Sequence, residues 1–243
     1  TQTSYAVGLG MGLFNDENLP HMIKNLAAAV ERENADDGGV RRPKYSLMTG
    51  FIGTAWISKA LSDHGLSELA YRLLQNNQYP SWLYAVDQGA TTIWERLNGY
   101  TVENGFGGNN SMNSFNHYSF GAVGQWMLAY SLGIQRDEPG FRKFILRPEP
   151  DPTGEMTSAE GYYDSMYGRI SSAWKTDGKT LTYRATVPAN TTATLYLPAA
   201  SPDAVKEGAD PASSAEGVKF LRYENGKAVF QLESGTYYFT ATR

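Results

Sequence analysis

The stretch Gly140-Phe141-Arg142-Lys143-Phe144-Ile145-Leu146-Arg147-Pro148 divides the chain into two kinds of fold. Before it, apolar residues recur at three- and four-residue spacing, the period of helices lying on a core. After it, they come in short runs bounded by Gly, Pro, Asn and Asp, the pattern of strands and turns. Residues 144–147 read as the first of those strands, stopped by Pro148. The boundary places a helical domain at 1–140 and an antiparallel β-sandwich at 141–243.

Working upstream, Tyr5, Leu9, Gly12 and Leu13 share one face, so residues 1–14 read as a helix. It is already under way at Thr1, and the expectation is that the chain begins inside a larger domain. Asn15-Asp16 ends it and supplies the next N-cap. Leu19, Met22, Ile23, Leu26 and Val30 mark a second helix over 19–33, with Pro20 in its first turn. Polar residues 34–44, with Gly38-Gly39, read as a loop. A third helix opens at Gly50 and stops at Asp63-His64-Gly65. A fourth carries Leu66, Leu69, Ala70, Leu73 and Leu74 and ends before Pro80. Residues 81–86 have no assignable period. Residues 115–132, with Tyr118, Ala122, Trp126 and Tyr130 on one stripe, read as a buried helix whose Gly121 and Gly124 let a neighbour approach. Five or so helices in short-looped pairs resemble part of an α/α toroid and are too few to close one.

Downstream, strands are expected over 156–163, 168–175, 181–187, 192–197, 218–223, 228–232 and 237–241. Asp177-Gly178 and Asn225-Gly226 have the composition of hairpin turns. Regularly spaced short strands indicate an antiparallel sandwich. Residues 199–217, rich in Ala, Ser, Pro and Gly, read as a mobile surface loop.

Composition narrows the function classes. The 243 residues carry a net charge of −4 and 41% hydrophobic residues. Charges are interspersed, and Arg41-Arg42 is too short for a basic patch, which argues against nucleic acid or an anionic membrane as partner. No apolar run approaches the roughly 18 residues of a membrane span, and residues 1–14 lack a signal-peptide pattern. With no cysteine and three dispersed histidines, no thiolate or zinc site is visible. No cofactor fingerprint is present; an oxygen-only Ca²⁺ site stays open.

Chemistry concentrates in two segments. Gly89-Ala90-Thr91-Thr92-Ile93-Trp94-Glu95-Arg96 puts a carboxylate beside an indole. Asn113-Ser114-Phe115-Asn116-His117-Tyr118 puts an imidazole at a helix start. Between them lies a Gly/Asn-rich loop, 97–112, long enough to suggest a role over a ligand. Glu95 fits either a general base or a surface ion-pair carboxylate. In an extended segment its side chain and that of Arg96 would point to opposite faces. Trp82, Tyr84 and Trp94 fit an aromatic wall for a sugar, or simple core packing. Asp87 and Glu103 are further carboxylates near the site. His21 and His64 have no supporting motif and read as surface residues.

These segments carry a resemblance. Gly89-Ala90-Thr91-Thr92-Ile93-Trp94-Glu95, Ser114-Phe115-Asn116-His117-Tyr118 and Phe120-Gly121 are similar to late motifs of bacterial α-L-rhamnosidases, glycoside hydrolase family 78. So are Leu69-Ala70-Tyr71-Arg72-Leu73-Leu74, Tyr79-Pro80-Ser81-Trp82-Leu83-Tyr84, Tyr167-Gly168-Arg169-Ile170 with Trp174, Val187-Pro188-Ala189-Asn190-Thr191 and Leu197-Pro198. The similarity covers nearly the whole chain, and the order of the motifs is more specific than any one of them. It implies the later part of an (α/α)6 catalytic barrel followed by a C-terminal sandwich, and removal of terminal α-L-rhamnose with inversion. It implies Glu95 as general base, and His117, Trp94, Trp82, Tyr84 and Asn116 as substrate-binding residues. The general acid would belong to an Asp/Glu-rich motif in the first half of the barrel, and no such motif is found in this chain.

The resemblance further implies a rhamnose-containing glycoside as partner and a periplasmic or extracellular place of action. The exposed helix faces of a half-barrel call for a cover: the missing N-terminal half of the barrel or another copy of the chain, as a homo-oligomer. Two alternatives stand beside this reading. One is an inactive fragment or half-barrel with a binding or structural role. The other is a toroid glycosidase acting on another sugar.

Overall fold

The computed structural model describes residues 1–108 and 111–243. Its contacts divide it into two compact units, Thr1–Trp126 and Met127–Arg243.

The first unit is built of helical hairpins. Helix α1 (Gln2–Gly10) packs on α2 (Leu19–Glu31) and on α3 (Gly50–Asp63), and α3 packs on α4 (Ser67–Gln75). Gln2 explains why the first helix is fixed so firmly. Its side chain is buried, and its amide donates to the carbonyls of Ala29 (3.1 Å) and Ser46 (3.0 Å) while accepting from the Met48 N–H (2.9 Å). One amide therefore ties α1 to the end of α2 and to the segment entering α3. Close approach is permitted where side chains vanish: a Cβ on Gly53 would sit 2.6 Å from Thr3 Oγ1.

Several sequence expectations shift here. Helix α1 ends at Gly10, short of Phe14. The N-cap of α2 is Asn18; Asn15 Oδ1 instead accepts from the Asn18 N–H at 2.9 Å. Within 34–44 there is a small hairpin, β1 (Asn34–Ala35) with β2 (Arg41–Arg42). The unassigned aromatic stretch is a helix, α5 (Trp82–Asp87), capped by the Ser81 hydroxyl, which accepts from Tyr84 N–H at 3.1 Å. The long helix expected over 115–132 is not formed. A 3-10 turn, Ser119–Ala122, leads into one α turn, α6 (Val123–Trp126), and the second unit opens on a π-helical turn, Met127–Ser131. The cause is competition for backbone groups: the His117 N–H and the Phe115 carbonyl are engaged by the segment around Ile93, so no helix can start there.

The second unit is a two-sheet sandwich around one core. A first strand, β3 (Ile134–Arg136), lies ahead of Gly140 and pairs with β4 (Lys143–Leu146). Then follow β5 (Ser158–Ser165), β6 (Gly168–Thr176), β7 (Thr180–Val187) and β8 (Thr192–Pro198). Next are β9 (Val205–Glu207), β10 (Asp210–Pro211), β11 (Val218–Glu224), β12 (Lys227–Leu232) and β13 (Gly235–Thr242). One sheet has the order β10-β9-β13-β7-β6-β5 and the other β11-β12-β8-β4-β3. Strict alternation fills the space between them: Leu181, Tyr183, Ala185 and Val187 from β7 meet Ala193, Leu195 and Leu197 from β8 in one buried cluster. Each fully buried Leu or Phe there contributes about 1.5–3 kcal/mol.

The Asn225-Gly226 turn is as expected. Both residues have positive φ (49° and 72°), and Glu224 pairs directly with Lys227, the geometry of a two-residue type I′ hairpin. The sandwich is antiparallel as expected, save for one ladder in which β4 runs parallel to β8. One expectation fails. Residues 199–217 are not a bare loop: β9 pairs with β13, and Val205 and Ala212 are 1% exposed, so apolar anchors pin the segment to the core.

Candidate active site

Two stretches distant in sequence lie side by side in the first unit. The Glu95 N–H donates to the Ser114 carbonyl at 2.9 Å, and the His117 N–H donates to the Ile93 carbonyl at 2.8 Å. Thr92 Oγ1 donates to the Phe115 carbonyl. The Ser114 N–H in turn donates to Glu95 Oε2 at 2.9 Å. One carboxylate oxygen of Glu95 is thus fixed by backbone.

Glu95 lines a cavity of about 670 Å³, within the size range of small-ligand pockets. Arg96, Asn98, Tyr79, Pro80, Phe120 and the segment around β1 and β2 are among the residues that share its wall. Arg96 therefore shares the cavity with Glu95 instead of facing away. The chain turns there, with Gly99 N–H bonded to the Arg96 carbonyl at 2.9 Å, so strand alternation does not apply.

His117 sits just before the 3-10 turn. Its Nδ1 accepts from the Ser119 N–H at 3.3 Å, which leaves Nε2 as the donor of the neutral ring. The imidazole stacks between Phe51 (4.8 Å) and the exposed ring of Tyr118 (5.5 Å). Asn116 is exposed, its N–H bonded to Ser114 Oγ at 3.3 Å.

Trp94 is 7% exposed and packs edge-on against Phe115 (5.1 Å) and Tyr100 (6.4 Å). Phe106 closes this ring set at 5.2 Å from Tyr100 and 5.6 Å from Phe115. The Gly-rich loop is thereby folded back onto the Glu95 segment; its residues 109 and 110 lie outside the described residues. Trp82 is also 7% exposed and donates its Nε1–H to the Phe120 carbonyl at 2.8 Å. Tyr84 packs edge-on against Tyr79 at 5.3 Å. Of the expected site residues, Glu95 lines the 670 Å³ cavity, whereas His117, Trp94, Trp82, Tyr84 and Asn116 surround its supporting shell without lining it. Asp87 and Glu103 are exposed and outside it, and His21 is exposed.

Sequence reasoning missed another part of the cavity wall. Asp36 and Arg42 belong to residues read only as a loop and as too short a basic patch, yet they line the cavity together with Tyr79. The available signal was Asp36-Asp37-Gly38-Gly39, a turn composition between two short extended pieces.

The bacterial α-L-rhamnosidase six-hairpin glycosidase domain matches residues 1–130. The chain belongs to the bacterial α-L-rhamnosidase family. The C-terminal domain of these rhamnosidases matches residues 133–210. An α-L-rhamnosidase of Streptomyces avermitilis is 37% identical over 240 residues, which cover 99% of this chain and 21% of the relative. One from Formosa agariphila is 36% identical over 241 residues, 99% of this chain and 25% of the relative. The crystal structure of the Streptomyces avermitilis rhamnosidase, complexed with L-rhamnose, superposes over 100% of this chain and 22% of its own, with a TM-score of 0.84. That of Aspergillus terreus α-L-rhamnosidase gives 0.79 at 30% identity, over 99% and 24%. The chain thus spans about a fifth to a quarter of the length of these rhamnosidases.

Proposed function

We propose that this chain contributes the water-activating side of an α-L-rhamnosidase active site, which hydrolyses terminal α-L-rhamnosides with inversion. The observation that carries the reading is Glu95: one carboxylate oxygen anchored by a backbone N–H, on the wall of a sugar-sized cavity. An inverting hydrolase holds a base and an acid about 6.5–9.5 Å apart, leaving room for a water between base and anomeric carbon. Glu95 is the base: Oε2 is held, and the other oxygen takes the water proton as the C–O bond to the leaving group breaks. The acid that protonates the leaving oxygen belongs to the earlier part of the barrel. His117, Asn116, Trp94, Trp82 and Tyr84 do not line the Glu95 cavity; in this reading they hold in place the residues that do, the Glu95 segment, Phe120 and Tyr79.

In the full-length gene product, Glu95→Gln lowers turnover of an aryl α-L-rhamnoside by about 10²–10⁴-fold, the usual worth of general-base catalysis. Near-normal turnover with an unchanged melting temperature overturns the assignment. The coverage of only 21–25% of the relatives favours a second reading, that the isolated 243 residues bind sugar without turning it over. Hydrolysis of the aryl rhamnoside by the purified 243-residue chain sinks that reading. A panel of other aryl glycosides tests the choice of sugar, since fold alone does not fix it.

A further inference from the structure

The part of the cavity wall formed by residues 34–42 and Tyr79 is more rigid than its loop composition suggests. Asp36 organises it. Its Oδ1 accepts the N–H groups of Gly38 (3.0 Å) and Val40 (2.9 Å), and its Oδ2 accepts Nε (2.9 Å) and Nη2 (2.5 Å) of Arg42. With both oxygens engaged, the carboxylate fixes the guanidinium in place. The guanidinium carbon then lies 4.7 Å from the centre of the Tyr79 ring. Tyr84 meets the same ring edge-on, at 5.3 Å and 66°. A cation on its face and an aromatic edge beside it hold the half-buried Tyr79 side chain.

Tyr79 lines the Glu95 cavity, and among the described residues its hydroxyl makes no hydrogen bond. A phenol can both donate and accept, which matches the dual character of a sugar hydroxyl. Its ring is already ordered, so binding costs little further side-chain entropy. Exposed Glu33 and Asp37 also line the cavity, but among the described residues no hydrogen bond of comparable geometry fixes the Asp37 side chain. We propose that Tyr79, held by the Asp36/Arg42 clamp, is a substrate-binding residue that hydrogen-bonds a carbohydrate hydroxyl in the cavity lined by Glu95. The proposal rests on the reading of that cavity as a glycoside site.

The test uses the full-length gene product and three probes: free L-rhamnose, an aryl α-L-rhamnoside and a rhamnosyl disaccharide. Tyr79→Phe keeps the ring and its stacking on Arg42 and removes only the hydroxyl. It weakens binding or kcat/KM about 3–10-fold, the worth of one neutral hydrogen bond, with the melting temperature unchanged. Arg42→Met frees the ring and gives a loss of similar size, and the double variant loses no more than the larger single one, because both act through the same hydroxyl. Weaker binding of free L-rhamnose, measured in the Glu95→Gln background, places the contacted hydroxyl on the rhamnosyl unit. A loss confined to the disaccharide places it on the leaving group. No change with any of the three probes overturns the proposal. Retained turnover in Glu95→Gln sinks the base assignment separately, since the rhamnose-binding measurement needs no turnover.

Discussion

Glu95 and Ser114 hold each other by two hydrogen bonds of 2.9 Å, one from the Glu95 N–H to the Ser114 carbonyl and one from the Ser114 N–H back to Glu95 Oε2. The donor that orients the carboxylate is therefore main chain, and the side chain of residue 114 is nearly irrelevant to it. In the full-length gene product, Ser114→Ala loses only the Oγ contact with Asn116 N–H and leaves kcat for the aryl rhamnoside within about threefold to tenfold of the parent, since one exposed hydrogen bond is worth roughly 0.5–1.5 kcal/mol at most. Ser114→Pro deletes the N–H and lowers kcat far more. Steady-state kinetics on both, with melting curves to confirm folding, check the contrast; equal kcat in the two variants contradicts a backbone clamp.

Asp36 makes stability sensitive to acid. Its bonds to Arg42 and to the Val40 and Gly38 N–H groups hold its carboxyl below the usual aspartate range. A depressed folded-state value contributes stability that is fully present above the unfolded pKa of about 3.9 and is lost as pH falls through the lower, folded value. Asp36→Asn removes this contribution. Melting temperatures of the parent and the variant, measured from pH 6 down to pH 2, therefore converge at the acid end. Parallel curves would show that the Asp36/Arg42 pair does not couple to folding.

In the sandwich core, Tyr183 and Ser172 give an asymmetric pair of variants. The Ser172 hydroxyl bonds the Leu132 carbonyl at 2.6 Å and the Tyr183 hydroxyl at 3.0 Å, and burial pushes the Tyr183 phenol well above its ordinary pKa. Tyr183→Phe leaves Ser172 with a partner and costs about 0.5–1.5 kcal/mol. Ser172→Ala strands the buried phenol and costs about 1–3 kcal/mol. Urea unfolding of the two variants gives the order directly, and the reverse order would contradict the network.

Two glycines with nearly the same φ separate backbone strain from crowding. Gly226 (φ 72°) has open space around its missing Cβ, so Gly226→Ala costs about 1–2 kcal/mol from backbone conformation alone. At Gly133 (φ 76°) a Cβ would lie 2.1 Å from the Arg147 carbonyl carbon. Backbone cannot swing aside as a side chain can, and Gly133→Ala costs more than about 4 kcal/mol. Thermal denaturation of both variants tests the gap.

Legibility in the sequence follows the range of the forces involved. Helices α2 to α4 and the strands β5 to β8 and β11 to β13 were readable because periodicity and turn chemistry are local, whereas β9 and β10 lay hidden in a loop-like composition. Asn225-Gly226 announces its hairpin by itself, since only a few residue types accept two successive positive φ values. The broken helix after Phe115 was not readable: its helical stripe is real, but Thr92, Ile93 and Glu95 take the backbone groups it would need. The same holds for the site. Glu95 stood out by its motif, whereas the Asp36/Arg42 pair joins Tyr79 in one wall only through a contact between residues 42 and 79, which no local pattern encodes.

The parallel ladder between β4 and β8 has a consequence for synthesis on the ribosome. Lys143 pairs with Thr192 and Leu146 with Leu195, so β4 leaves the exit tunnel about 50 residues before its partner. Until then it can pair only with β3, as a two-stranded ribbon too small to be stable. The five-stranded sheet is therefore completed late, from its β3/β4 edge across, with β8 joining β4 and the β11/β12 hairpin adding to β8 last. During that interval the edge of β4 that later meets β8 is bare, and nascent chains on neighbouring ribosomes are at their most adhesive.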